Sequence, residues 1–167
     1  MSEPIVAVTI VSHAALQIAA PADAVWQAIL NNLLQPDTWQ MAGYGFVSLH
    51  DVAVPLGGYR LAKEEEGQVV DERIVHVTEC DARARRLSLF SDHLSERNGL
   101  SAYATYHARE MPTGTCCAID CHTRVGVEIL KNADIISLIS ELRGQSEAHL
   151  NDYLAHLKCA LERRQIQ

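Results

Sequence analysis

Between residues 44 and 127 the chain reads as six strand-length segments in succession, each closed by a turn signal, with no helical pattern between them. The segments are 44–52, 58–65, 68–79, 85–93, 101–111 and 115–127. Gly57-Gly58, Glu66-Gly67, Cys80-Asp81, Asn98-Gly99 and Pro112-Thr113-Gly114 separate them. Connections this short join antiparallel neighbours, because a parallel crossover needs a longer return path. The pattern therefore predicts an antiparallel meander.

The flanks complete the layout. Residues 5–18 are rich in β-branched and small apolar residues and read as a first strand. Pro21 opens a helix from Ala22 to Leu34, with Ala24, Val25, Ala28, Ile29 and Leu33 at helical spacing. Pro36-Asp37 starts a second short helix carrying Trp39 and Met41. From Asn132 to Arg164 there is no proline, and Ile135, Leu138, Ile139, Leu142, Leu150, Leu154, Leu157 and Leu161 form a helical series. Gly144 interrupts that series, so a bend or division of the helix is expected there. Asn132 is the expected N-cap, with Asp134 in the first turn.

The predicted class is α+β: a seven-stranded antiparallel sheet wrapped around a long C-terminal helix, with two short helices after strand 1. Such a sheet buries one face, and one long helix is the available cover. A single helix is too narrow to fill a strongly curved sheet, so a cavity between the two is predicted.

Composition narrows the partners. With 167 residues, the whole chain, 1–167, is expected to form one domain. A net charge of −7 argues against nucleic acid, which is held by clustered Lys and Arg. The basic run Arg83-Ala84-Arg85-Arg86 reads as a solvated turn. No apolar run approaches the roughly 20 residues that span a bilayer, and no signal-peptide pattern opens the chain. Cytoplasmic residence without membrane insertion is the expectation. Five cysteines without a C-x-x-C pair make neither a disulfide framework nor a zinc ribbon. No histidine pair has the spacing of a helical metal site, so no metal and no cofactor is expected.

The stretch Asp71-Glu72-Arg73-Ile74-Val75-His76-Val77 carries the functional question. Glu72, Ile74 and His76 are two apart and share one face of a strand. Turned inward, they would line a polar cup for a small molecule. Turned outward, they are solvated residues. The residues alone leave both open.

The element order resembles the helix-grip fold of the START-like, or SRPBCC, superfamily. Leu56-Gly57-Gly58-Tyr59-Arg60 is similar to its "VGxxR" strand opening. Glu72-Arg73-Ile74, with Asp81 and Arg86-Leu87 after it, is similar to "ERL…D…R.L", and Leu100-Ser101-Ala102-Tyr103 to "L-x-N-Y". Ala20-Pro21 through Val25-Trp26 resembles the first helix, and Tyr153 to Lys158 the end of the last. The nearer likeness is to bacterial polyketide cyclase/dehydrase-like proteins. Plant abscisic-acid receptors are more distant, since their gate and latch motifs are absent and Tyr44 stands where they have a lysine.

The resemblance implies that Glu72 and Tyr103 point into a ligand cavity. Strand alternation then turns Ile74, His76, Thr105 and His107 inward too. On the following strand Cys117, Ile119, Cys121 and Thr123 are expected inside, with Asp120, His122 and Arg124 in water. Leu142, Gln145, His149 and Tyr153 are the expected helix positions, and Tyr44 completes the ligand-binding set. Glu72, His76 and His107 are the candidate acid–base groups for enolising a ketone or dehydrating an aldol product. A Cys121–His107 nucleophile pair is a minor alternative. The expected function is binding of a small hydrophobic or aromatic molecule, with cyclase or dehydratase activity as one form of it. A non-enzymatic lipid carrier and a protein-binding module are the alternatives. A homodimer is among the assemblies this reading allows.

Overall fold

A computed structural model describes residues 5–50, 56–128 and 134–163. The elements are β1 (Ile5–Ile18), α1 (Ala22–Leu34), α2 (Pro36–Met41), β2 (Tyr44–Leu49), β3 (Gly58–Glu65), β4 (Gln68–Asp81), β5 (Arg86–His93), β6 (Leu100–Met111), β7 (Gly114–Glu128) and α3 (Ile135–Arg163). The seven strands form one sheet in the order β1-β7-β6-β5-β4-β3-β2, antiparallel at every pairing. The end of the expected strand 44–52, the Asn132 cap and Arg164 fall outside the described residues or at their border: the strand is seen to Leu49, and 51–52, 132 and 164 are not described.

Two turns fix the meander. Glu66 and Gly67 both take positive φ, at 52° and 77°, as a two-residue hairpin matching the strand twist requires. Gly114 closes the β6–β7 hairpin at φ 93°, and a Cβ there would stand 2.3 Å from the Ile18 carbonyl oxygen.

The sheet buries its concave face. Ile18, Leu61, Leu87 and Ile119 from the strands meet Val25 and Ile29 of α1 and Leu154 of α3, all fully excluded from solvent. On α3 the buried residues are Leu150, Leu154, Leu157 and Leu161, one stripe of the helix and all in its second half. In the first half Leu138, Ile139 and Leu142 are only half-buried, and Ile135 and Ile136 are exposed. The helix thus grips the core with its second half, while in the first half Ser146 bonds the buried Ser12 of β1 at 2.8 Å.

Gly144 does not divide α3, contrary to one form of the sequence expectation; the helix runs through it, with open space where a Cβ would project. Tertiary packing on either side overrides the roughly 1 kcal/mol helix penalty of one glycine. The helix is capped by Asp134, whose Oδ1 accepts the Ile136 N–H at 3.0 Å and whose Oδ2 accepts the Ser137 hydroxyl at 2.6 Å. These bonds hold the Asp134 carboxyl below its ordinary pKa.

Candidate functional site

The register of the sheet decides which side chains share the concave face. Ile119 of β7 lies opposite Tyr106 of β6, and Tyr106 opposite Leu87 of β5. The next inward layer is Cys121, Ala104, Leu89 and Val77; the one after is Thr123, Ala102, Ser91 and Val75. Arg73 of β4 then lies opposite His93 of β5, and His93 opposite Leu100 of β6. Two alanines, Ala102 and Ala104, sit in the middle of this surface, where larger residues would fill the space facing Ser146, His149 and Leu150 of α3.

The result is a partly enclosed cavity of about 360 Å³. Trp39, Tyr59, Leu61, Leu89, Tyr106 and Leu150 supply most of its apolar wall, and Arg73, His93, Ser91, Thr123, Ser146 and His149 its polar groups. A wider cleft of about 550 Å³ lies between the β1–α1 turn and the β6–β7 hairpin, but it is a shallow surface feature next to the Asp23–Arg85 ion pair. The partly enclosed cavity has a volume and mixed lining within the range of small-molecule sites, about 300–1,000 Å³.

Among the described residues, Arg73 is the one side chain of unconditional charge on the cavity wall. Its Nε donates to Asp71 Oδ1 at 2.9 Å, and its Nη2 donates to Asp71 Oδ2 and to the Tyr44 hydroxyl, the latter at 3.2 Å. Tyr44 donates its own proton to Asp71 Oδ2 at 2.6 Å, and the guanidinium carbon stands 5.6 Å from the Tyr44 ring centroid. Nη1 has no partner among the described residues. The Arg73 bonds hold the Asp71 carboxyl below its ordinary value, while burial, reinforced by the bond to Asp71, raises the Tyr44 phenol. Burial, helped by the Arg73 charge, lowers His93, so its imidazole is neutral at neutral pH.

Aromatic packing braces this end. Trp39 donates Nε1–H to the Leu33 carbonyl at 3.0 Å and meets Tyr44 edge-on at 5.6 Å; Phe46 stacks on Tyr59 at 4.8 Å. At the other end Tyr106 meets Tyr153 at 5.8 Å. The Tyr153 hydroxyl is buried with no hydrogen-bond partner among the described residues, although the Asn32 side chain lies near it. Burial pushes the Tyr153 phenol up to about 12.

Several sequence expectations are corrected here. Glu72, Ile74 and His76 lie on the convex face, because Asp71, Arg73, Val75 and Val77 take the concave one. Glu72 accepts the Arg60 Nε–H there at 2.7 Å. Tyr103, Thr105 and His107 are convex as well: Tyr103 is 41% exposed, Thr105 bonds Ser88 at 2.9 Å, and His107 Nε2 lies 3.4 Å from Asp120. The acid–base set Glu72, His76 and His107 therefore has no access to the cavity. Cys121 and His107 point to opposite faces, which removes the nucleophile pair. Leu142 stands on α3 outside the lining.

Of the remaining expected positions, Cys121, Thr123 and His149 line the cavity, whereas Tyr44 and Tyr153 lie outside the lining: Tyr153 packs against Tyr106, and Tyr44 bonds Asp71. Cys117 and Ile119 are buried, with Asp120, His122 and Arg124 exposed. Arg73, His93, Tyr59 and Tyr106 were missed as site residues. The signal that finds them is the tight β6–β7 hairpin: closing it on Met111 and Gly114 sets Tyr106 against Ile119, which is already assigned inward.

This sheet, its long carboxy-terminal helix and the two short helices after the first strand constitute the helix-grip fold. Solved structures of that shape bear this out. An uncharacterised protein from Rhizobium leguminosarum superposes with a TM-score of 0.60 at 15% identity, over 96% of this chain and 99% of the other. An aromatase/cyclase from a Streptomyces species gives 0.59 at 14% identity, over 94% and 96%. A point mutant of norcoclaurine synthase from Thalictrum flavum, in complex with a transition-state analogue, gives 0.58 at 14% identity, over 97% and 99%. No protein-family model and no curated protein sequence matches the chain. No helix among the described residues is long and apolar enough to cross a membrane.

Proposed function

We propose that this protein binds a small, mainly hydrophobic molecule in the cavity between its sheet and α3. The observation that carries the reading is the 360 Å³ cavity itself, whose wall is mostly apolar with Arg73 and His93 side by side at one end. Aromatic side chains dominate that wall, which suits a flat or aromatic ligand. The likeness in fold to an aromatase/cyclase and to norcoclaurine synthase agrees with such a role. Calorimetric titration with a methyl naphthyl ketone tests it. Ala104→Phe, which fills the middle of the cavity, is expected to weaken binding at least tenfold while the melting temperature is held. Undiminished binding to that variant would refute the site.

Catalysis is the second reading, and the pairing of Arg73 with a neutral His93 favours it. A ketone oxygen at Arg73 Nη1 would bring its α-carbon toward His93. The imidazole would take an α-proton, the C–H electrons forming the new C=C bond as the carbonyl π electrons pass to oxygen beside the guanidinium. Return of a proton from the imidazolium regenerates the ketone. Deuterium exchange at the α-carbon, followed by NMR, measures this step. His93→Gln is expected to stop the exchange with ketone affinity within a few-fold of wild type. Exchange at the uncatalysed rate in the wild-type protein would leave a carrier.

A further inference from the structure

We propose that the cavity selects uncharged, carbonyl-bearing aromatic molecules and rejects carboxylates of the same shape, because the only fixed cation among the described residues of its lining is already neutralised inside the wall. This deepens the ligand-binding reading and rests on it.

The geometry is specific. Two edges of the Arg73 guanidinium are committed, Nε and Nη2 to Asp71 and Nη2 also to Tyr44, which leaves Nη1, without a partner among the described residues, as the donor this lining residue can offer a ligand. The Asp71 carboxylate is itself held in place by the Tyr44 hydroxyl at 2.6 Å, so it cannot swing aside when an anion arrives. The Asp71 and Arg73 side chains are 21% and 29% exposed, so water screens the pair poorly.

The other titratable groups on this side do not change the balance. Lys63 stands between Tyr44 and Asp71 in the sheet, but it is paired with Glu65 at 3.3 Å and does not line the cavity. His93 is neutral at neutral pH. His149, from α3, lies on the exposed side of the lining. The pair thus offers N–H donors without net charge. A carbonyl oxygen gains those donors at small desolvation cost. A carboxylate loses its hydration and meets, beyond the guanidinium, a fixed carboxylate of its own sign.

Three probes of one shape separate the possibilities: methyl naphthyl ketone, naphthoate and ethylnaphthalene, each titrated calorimetrically into the full chain at pH 7. The ketone is expected to bind several-fold tighter than the hydrocarbon and at least tenfold tighter than naphthoate. In Asp71→Asn the cation is uncompensated, and the naphthoate affinity is expected to gain at least tenfold relative to that of the ketone. Naphthoate binding to the wild type as tightly as the ketone would overturn the inference. So would a folded Asp71→Asn whose naphthoate affinity is unchanged relative to that of the ketone. Failure of all three probes to bind would instead overturn the cavity reading, and the inference with it. The wild-type ratio needs no variant, so the test stands even where Asp71→Asn does not fold.

Discussion

Replacing Arg73 with methionine isolates the charged pair that distinguishes this cavity from a plain apolar one. The side chain keeps an unbranched apolar stem and loses three hydrogen bonds, two to Asp71 and one to Tyr44. Hydrogen bonds to charged groups each contribute about 1.5–3 kcal/mol. Both side chains retain some exposure, 29% and 21%, and Asp71 keeps its bond from Tyr44, so the expected loss is about 2 kcal/mol in total. For a chain of this length that is a fall in Tm of about 4–8 °C. The pH dependence follows from Asp71, whose carboxyl is held below its ordinary value of 3.8. A depressed carboxyl contributes stability that is complete above the unfolded pKa and lost as pH falls through the folded one. The gap between wild type and Arg73→Met is therefore full at pH 7 and narrows only below about pH 4. Urea unfolding followed by circular dichroism from pH 7 to pH 3 measures it. The double variant Asp71→Asn/Arg73→Met is expected to recover at least about 1 kcal/mol of the single variant's loss, since no carboxylate is then left without its partner. A coupling near zero, or a gap unchanged across that pH range, would refute the pairing.

Leu154→Ala, at a fully buried position of α3, is expected to cost about 2–5 kcal/mol in urea unfolding. Gly114→Ala should cost more than about 1 kcal/mol, because it adds a Cβ at positive φ against the Ile18 carbonyl; equal stability would refute the close approach. Tyr153→Phe removes a buried hydroxyl with no hydrogen bond and should leave Tm unchanged or raised, whereas a clear fall would reveal a partner for that oxygen. Burial pushes the Cys117 thiol up to about 12, so thiol reagents at pH 8 should label exposed Cys80 and Cys159 while Cys117 reacts only on unfolding, as peptide mapping would read.

Turn residues and periodicity made most of the architecture legible. The meander, the first strand, α1 to the residue and the apolar stripe of α3 all follow from patterns spanning a few neighbouring residues, where sterics and burial act locally. The inward set on β7 was equally readable, because Cys117, Ile119 and Cys121 alternate with Asp120 and His122. The strand 71–77 was not readable in this way. It alternates Glu72, Ile74 and His76 with Arg73, Val75 and Val77, so each face carries both polar and apolar side chains, and local burial gives no preference.

What the sequence alone determined is the order of elements and the need for a covering helix that leaves room beneath it. Only the tertiary structure decided the chemistry of that room. A strand's phase is common to every neighbour it pairs with, so the face of β4 is set by β5, β6 and β7 acting together rather than by its own residues. That shared register sends Glu72 outward to Arg60 and brings Arg73, with Asp71 and Tyr44 behind it, to the cavity wall.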